Sequence, residues 1–204
     1  MRTSTERISK TPIYGGSSFT GTSLKGTSFD HTDLRSTTFV GVTLRDARYL
    51  RDTKIRSCTG CDLEGLDLTS ADLRGVRLVG SNMRDARLGD ADLRESRLVG
   101  VDLERADLHG VRLGGATIAA ADFRDARVRG ARFDDATLCI DATDRHDGTR
   151  HIACGDLRGV DLHGIDLSHI RTCESDDRNC RTVLRAELTD LAHADLTGAM
   201  EPDF

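Results

Sequence analysis

The chain has 204 residues, of which 37% are hydrophobic without counting its 20 glycines, so it can form a packed core. Its 34 acidic and 29 basic residues give a net charge of −5, which argues against a protein that binds nucleic acid through a basic face. With no Trp and 4% aromatic residues, the chain also has little material for stacking bases.

Residues 1–13 form a polar N-terminal segment without the apolar stretch of a signal peptide. No later window approaches the length of apolar sequence that crosses a membrane. The six cysteines are too sparse for a disulfide-dense secreted scaffold. We therefore expect a cytoplasmic protein without membrane contact, whose cysteines are mostly free thiols.

From Tyr14 onward, an apolar residue recurs at every fifth position. These pentad centres run from Tyr14 to Tyr49, from Cys58 to Leu138 and from Leu157 to Leu167, which gives 28 pentads. A slip of one residue separates the first two blocks, and a longer break separates the last two. The period of five fits neither an α-helix nor a simple strand.

From Ala71 to Ala136, the residue two positions before the centre is small or β-branched, as at Ala71, Val76 and Ser81. Two positions in five are therefore expected to be buried, and the others carry residues typical of exposed or turning positions. Each pentad is expected to be a short extended piece followed by a corner. Glycines fall where a corner with positive φ is expected: Gly65, Gly75, Gly80, Gly100, Gly110, Gly115 and Gly130.

Units such as Ala71-Asp72-Leu73-Arg74-Gly75 and Ala106-Asp107-Leu108-His109-Gly110 resemble those of the pentapeptide-repeat family. The resemblance implies an all-β fold, a right-handed quadrilateral β-helix with four pentads per coil. It covers residues 14–170 and implies about seven coils, or a rod of about 34 Å at the usual strand spacing. A filled rod offers no catalytic cleft, and no sequence context marks a nucleophile, so we expect no enzyme and no cofactor.

If residues 20 apart stack, the charges on each face follow from the sequence. One face carries alternating signs that predict ion pairs between coils: Asp62, Asn82, Asp102 and Asp122 before its centres, and Glu64, Arg84, Glu104 and Arg124 after them. Another is the least charged and is a candidate contact surface, although small apolar residues of this kind are more often ordinary surface than an interface. It carries Val79, Val99 and Ala119 with Arg77 and Arg97.

The longest break, residues 140–153, is expected to be a polar loop that projects from the rod. Such a loop either carries function or is a tolerated insertion. Its charged and titratable residues are Asp141, Asp144, Arg145, His146, Asp147, Arg150 and His151.

Cys139 and Cys154 flank the break, and with His146 and His151 they form a possible zinc set of non-standard spacing. Cys139 with Cys154, and Cys173 with Cys180, are close enough in sequence to oxidise in vitro. Our interpretation nevertheless assigns no metal.

Residues 171–204 are expected to form a second loop and a C-terminal segment. Leu184, Leu188 and Leu191 follow helical spacing, which predicts a short amphipathic helix that caps the open end of the rod. The resemblance implies that such a segment can pair two rods into a homodimer.

The resemblance also implies a protein partner, a type II topoisomerase (DNA gyrase or topoisomerase IV), which the rod would bind as a DNA mimic. The expected contact residues are those of the 140–153 loop together with Asp62, Asp102 and Asp122. Charge weighs against mimicry by the whole surface, because an equal length of B-DNA carries about 20 negative charges. The alternative is a structural adaptor that docks another protein through a rod face or the loop.

Overall fold

The computed structural model describes residues 17–29, 34, 37–47, 55–143, 150–174, 179–183, 188, 189, 192, 194–197 and 199. These residues contain eight strands in two four-stranded sheets. The strands are β1 (Ser18–Thr20), β2 (Thr38–Val40), β3 (Ser57–Thr59), β4 (Arg77–Val79), β5 (Thr137–Thr143), β6 (Arg150–Cys154), β7 (Arg171–Glu174) and β8 (Cys180–Thr182). Residues 1–13 lie outside this description.

The pentads wind into a right-handed quadrilateral β-helix. Strands β1 to β4 pair in parallel, in the order of the sequence. Single parallel bridges join residues 20 apart on every side of the coil, such as Asp67 to Arg87 and Asp72 to Asp92. Four stacked faces result. We call them face A (centres Phe19 to Leu138), face B (Leu24 to Leu157), face C (Phe29 to Leu162) and face D (Leu34 to Leu167).

Backbone hydrogen bonds between coils explain why the period is kept. The Leu93 N–H donates to the Arg112 carbonyl at 2.8 Å, and the Arg112 N–H donates back to Ala91 at 3.0 Å. A third bond, from the Ser96 N–H to the Leu93 carbonyl at 3.2 Å, closes the corner within the coil. Each coil therefore satisfies its neighbour's backbone groups.

The core is the column of inward side chains along the rod. The described centres from Phe29 to Leu167 are buried, as at Leu73, Leu93 and Leu113, and so are most of the small residues two positions earlier, as at Ala71 and Ala91. In the first coil, Phe19 and Leu24 are partly buried. Both inward positions predicted from the repeat are thus confirmed. Stacking places identical positions of successive coils on top of one another, so the described core is mostly apolar residues in contact with apolar residues.

The second residue after the centre forms the corner. All seven glycines predicted to have positive φ do so, with values between 58° and 70°. In the described part of the chain, nine non-glycine residues adopt the same conformation with φ between 55° and 60°, among them Ala120 and Glu95. The corner geometry is therefore imposed by the coil and not by glycine alone.

One coil is a residue shorter than the others. Phe39 pairs with Cys58, 19 residues later, whereas Cys58 pairs with Leu78, 20 residues later. The slip seen in the sequence is absorbed within this coil, since the ladder continues in register on its far side.

Both breaks in the repeat are β-hairpins. Strands β5 and β6 pair antiparallel, and so do β7 and β8. Because β5 also pairs in parallel with β7, the two hairpins form one four-stranded sheet in the order β6-β5-β7-β8. We call this sheet the hairpin wing. The predicted loop at 140–153 is thus strand over much of its length, and residues 144–149 lie outside the described part.

The C-terminal segment packs on the last coil. The Leu157 N–H donates to the Ala192 carbonyl at 2.7 Å, and Leu188, Ala192 and Ala194 are buried. Of the predicted helix, the structure describes only Leu188, in one helical turn with Thr189; Leu184 and Leu191 lie outside the described residues. Pairing of two rods through this segment stays a prediction.

Candidate functional site

Face B carries the acidic residues predicted to contact a partner, and the structure pairs each with an arginine. The pairs, with their N to O distances, are Asp62 with Arg45 at 2.6 Å, Asp102 with Arg84 at 3.2 Å and Asp122 with Arg124 at 2.6 Å. Arg84 also contacts Glu104 of the next coil at 2.7 Å. The ion pairs between coils that the alternating charges predict are confirmed.

This pairing leaves face B with little net charge. Among the described residues that flank its centres, six are acidic and five are Lys or Arg. The guanidinium of Arg124 donates to Asp122 and lowers the pKa of that carboxyl, against the opposing effect of partial burial. Asp62, Asp102 and Asp122 therefore do not form the continuous acidic stripe that a surface shaped like DNA needs.

Three carboxylates on face B come close enough together to bind a cation. Ligand oxygens of Asp102, Glu104 and Asp122 lie within 4.8 Å of one another. Arginines already compensate them: Arg84 and Arg124 contact Glu104 at 2.7 and 3.2 Å. The cluster is explained by these ion pairs.

Face D has the most buried carboxylate of the described ion pairs. The Asp92 side chain is 9% exposed and lies 2.7 Å from Arg94, 3.2 Å from Arg112 and 3.9 Å from Arg74. Three cations around one carboxylate hold adjacent coils together. On this face, as on face B, the charged side chains form ion pairs with one another within the rod.

An open groove of about 430 Å³ runs along face C, lined by Asp107, His109, Asp125, Ala126, Arg127, Val128, Arg129, Gly159 and Asp161. His109 Nδ1 lies 2.9 Å from Asp107, and Nε2 lies 3.7 Å from Asp90. The hydrogen bond to Asp107 raises the pKa of His109. The lining holds no hydroxyl or thiol that this histidine could activate, so the pair does not make a nucleophilic site.

The hairpin wing holds the remaining predicted contact residues. Asp141 and Arg150 are strand residues that pair with Ile152 and Thr143, and His151 is exposed on β6. Asp144, Arg145, His146 and Asp147 lie outside the described residues.

The cysteines overturn the expectation of free thiols, because all six form disulfides. Cys139 bonds Cys154 at the base of the first hairpin, and Cys173 bonds Cys180 at the paired position of the second hairpin that is nearest its connecting segment. In both hairpins the two cysteines stand directly opposite each other in the ladder. With its thiols bonded to each other, the set of Cys139, His146, His151 and Cys154 supplies no thiolate to zinc, so the zinc alternative is wrong.

The third disulfide, between Cys58 and Cys61, was missed from the sequence. Repeat position correctly predicted that both side chains are buried. It did not show that a centre and the next small position meet across a corner, where their Cα atoms are 5.7 Å apart, a normal separation for a disulfide. A cysteine pair three apart at these two positions is the signal that could have revealed it.

In the described part of the chain, no helix has the length and apolar character to cross a membrane. Comparison with curated protein sequences found no significant match. Among solved structures, the chain is similar to a pentapeptide repeat protein from the thylakoid lumen of Arabidopsis thaliana, with 22% identity over 56% of this chain and 67% of that one (TM-score 0.37).

Two further solved structures are similar. HetL, a pentapeptide repeat protein involved in heterocyst differentiation regulation in the cyanobacterium Nostoc sp. strain PCC 7120, is 28% identical over 75% of this chain and 73% of its own (TM-score 0.32). Full-length QnrB1, a plasmid-mediated fluoroquinolone resistance protein, is 16% identical over 79% and 93% (TM-score 0.29).

The sequence also matches the family profile of pentapeptide repeats, with eight copies over residues 15–48, 57–85 and 86–125. These ranges cover just over half of the chain and coincide with the regular coils. The chain therefore belongs to the pentapeptide-repeat family.

Proposed function

We propose that this protein is a non-catalytic binding protein that presents the hairpin wing to a protein partner. The observation that carries the proposal is that two consecutive hairpins, each closed by a disulfide, extend one shared sheet beyond an otherwise regular rod. A rigid scaffold with one projecting element is a common arrangement for recognition.

The first partner to test is a type II topoisomerase. The resemblance of the repeats, and the charged residues of the sequence between Asp141 and Arg150, support it. The near neutrality of face B weighs against broad DNA mimicry, so the proposed contact relies on the wing, with Asp62, Asp102 and Asp122 in a secondary role.

The second candidate is a structural adaptor for another protein. The pairing of every predicted face B carboxylate with arginine favours it, since such a surface attracts a DNA-binding protein only weakly. An adaptor needs shape and apolar contact more than net charge.

Inhibition or drug protection of purified gyrase supercoiling tests the first candidate. Intact protein is expected to act at micromolar concentration, with an effect that falls as salt rises. The variant Asp144→Ser/Asp147→Ser is expected to lose most of it. The matched variant Asp161→Ser/Asp166→Ser removes the same charge from the rod and is expected to behave as wild type.

No effect of intact protein would overturn the topoisomerase proposal and leave the adaptor. An equal loss in both variants would assign the effect to overall charge and exclude the wing as the contact.

The cytoplasmic location expected from the sequence stays a prediction. Three disulfides weigh against it, because disulfides persist chiefly in oxidising compartments.

A further inference from the structure

The three disulfides differ in how far solvent reaches them. The bond between Cys58 and Cys61 is buried at both ends, and the bond of the first hairpin joins a buried cysteine to a half-buried one. In the third bond, Cys173 is buried but Cys180 is exposed. Thiol–disulfide exchange needs access for an attacking thiolate, so the Cys173–Cys180 bond is the most open of the three to this reaction.

The surroundings of Cys180 leave a path for a reductant. Cys180 lies on β8, the outer strand of the hairpin wing, and all three residues of β8 are exposed. An open pocket of about 180 Å³ has both cysteines of the bond, Glu174 and Arg181 in its lining. These two side chains bring one charge of each sign, so the pocket as a whole does not repel an anionic thiolate.

The buried end of the bond lies against a hydroxyl. Thr137 Oγ1 is 3.3 Å from Cys173 Sγ, and both residues are buried. A disulfide sulfur carries no hydrogen, so the hydroxyl is the donor. The same O–H can donate to the thiolate that forms when the bond breaks, and a hydrogen bond to the charged form lowers the pKa of a thiol. Since a thiol of lower pKa is the better leaving group, Thr137 favours the departure of Cys173.

We propose that Cys173–Cys180 is a site of thiol–disulfide exchange that a dithiol reductant opens. A thiolate of the reductant attacks Cys180 Sγ, forms a mixed disulfide with it and expels Cys173 as a thiolate beside Thr137. The second thiol of the reductant attacks the first, so Cys180 leaves as a thiolate and the reductant departs as a disulfide. Two electrons pass to the protein, and the protons of the two reductant thiols end on the two cysteines.

Reduction removes the covalent link between β7 and β8, which three residue pairs also join. The exchange therefore changes the outer hairpin of the wing, while the bond of Cys139 with Cys154 keeps the first hairpin closed. The inference goes beyond the proposed binding role and does not depend on the identity of a partner.

The test follows each disulfide of the full-length oxidised protein in dithiothreitol under native conditions. Samples are quenched with N-ethylmaleimide at intervals, digested with trypsin and quantified by mass spectrometry. Cys173–Cys180 is expected to open at least about tenfold faster than either other disulfide. Equal rates for all three would show that reduction requires unfolding of the chain, and this result, or earlier opening of Cys139–Cys154, would overturn the proposal.

Reduced glutathione tests which sulfur is attacked, because its first product with the protein is a mixed disulfide. At early times, glutathione is expected on Cys180 and N-ethylmaleimide on Cys173. Trypsin places the two cysteines on different peptides, since Arg178 lies between them in the sequence. Glutathione on Cys173, or on both cysteines equally, would contradict the assignment of the attacked and leaving sulfurs.

Thr137→Val tests the hydroxyl, because it keeps the shape of the side chain and removes the donor. Opening of Cys173–Cys180 is expected to slow about fivefold, whereas a merely structural role predicts faster opening of a loosened site. Thr137→Ser keeps the hydroxyl and is expected to restore the wild-type rate. The matched control is Thr117→Val, which makes the same change one coil earlier in the same column and is expected to have no effect. Circular dichroism checks the fold of each variant, and unchanged or faster opening in Thr137→Val would overturn the role of Cys173 as the leaving group.

Discussion

At the scale of single residues, the repeat imposes environments that some side chains satisfy and others do not. Ser81 and Ser96 occupy equivalent inward positions and are both buried. Ser81 Oγ donates to the Cys58 carbonyl at 2.9 Å and accepts from the Cys61 N–H at 3.2 Å. Ser96 Oγ is buried without a hydrogen-bond partner. Residues at equivalent positions of the repeat therefore contribute differently to the stability of the fold.

Replacing these two serines by alanine separates the cases. Ser96→Ala is expected to leave the free energy of unfolding unchanged or to raise it by about 1 kcal/mol, because a buried unpaired hydroxyl is removed. Ser81→Ala is expected to lower it by about 1–2 kcal/mol, because two buried backbone groups lose a partner. Urea denaturation measures both, and equal effects would contradict the assignment.

The corner position offers a second matched pair. Gly100 and Ala120 stack on the same face with φ of 64° and 55°, and a Cβ at Gly100 meets no atom within 4 Å. Gly100→Ala is therefore expected to cost about 1 kcal/mol of stability from backbone strain alone. Ala120→Gly is expected to be neutral or stabilising by several tenths of a kcal/mol. Opposite signs in thermal denaturation are the expected result.

The ion pairs of Asp92 predict a pH dependence. Hydrogen bonds from the Arg94 side chain lower the pKa of Asp92, burial opposes them, and the Arg94 backbone N–H and the charge of Arg112 lower it further. The resulting stability is present above the unfolded pKa of about 3.9 and is lost as the pH falls through the lower folded value. Asp92→Asn is expected to reduce stability at pH 7 and to flatten its decline in acid. An unchanged acid slope would contradict this.

At the scale of elements, the strands of the two hairpins are the part of the fold that the sequence did not predict. The coils could be predicted because a period of five leaves two inward positions per pentad. The break at 140–153 has no such period, and its strands depend on partners distant in sequence, since Ile140 pairs with both Ala153 and Cys173. Proximity in the sequence predicted which cysteines pair in the hairpins, Cys139 with Cys154 and Cys173 with Cys180. The low cysteine content, however, led us to expect free thiols and not disulfides.

The hairpin disulfides carry a prediction of their own. Without reductant, alkylation followed by mass spectrometry is expected to find no free thiol, and after reduction six. Cys139→Ala/Cys154→Ala, which opens a crosslink of separation 15, is expected to cost about 3 kcal/mol of unfolding free energy. Cys173→Ala/Cys180→Ala, with separation 7, is expected to cost about 2 kcal/mol. Free thiols in the native, unreduced protein would contradict the pairing.

At the scale of the whole molecule, stability comes from stacking along one axis. Each coil contacts only its neighbours, so the free energy is a sum of coil and interface contributions. The partner surface was harder to predict than the fold. The alternating charges of face B predict ion pairs between coils, yet Asp62, Asp102 and Asp122 were also expected to contact a partner. The structure pairs each of the three with an arginine of the rod, so the charge that the sequence offers to a partner is largely compensated within the protein.

Leu93→Asp tests the stacked core. Leu93 is 1% exposed between Leu73 and Leu113, so the variant buries an unpaired carboxylate and is expected to lose more than about 4 kcal/mol or to fail to fold. Leu93→Met conserves volume and is expected to lose less than about 1.5 kcal/mol. Unchanged thermal stability of Leu93→Asp would show that the register of the coil is wrong.

The coil with 19 residues has a consequence for how such a chain evolves. Phe39 and Cys58 meet correctly although the path between them is one residue shorter than in the next coil. Alignment between stacked coils thus decides the pairing, and the number of residues in one coil can differ by one. A deletion at a corner is repaired within a single turn of the rod, whereas a deletion inside a row shifts every inward side chain in it. Length changes in descendants of this gene are therefore expected to accumulate at corners and in hairpins, and duplication of whole coils can lengthen the protein without redesigning its interior.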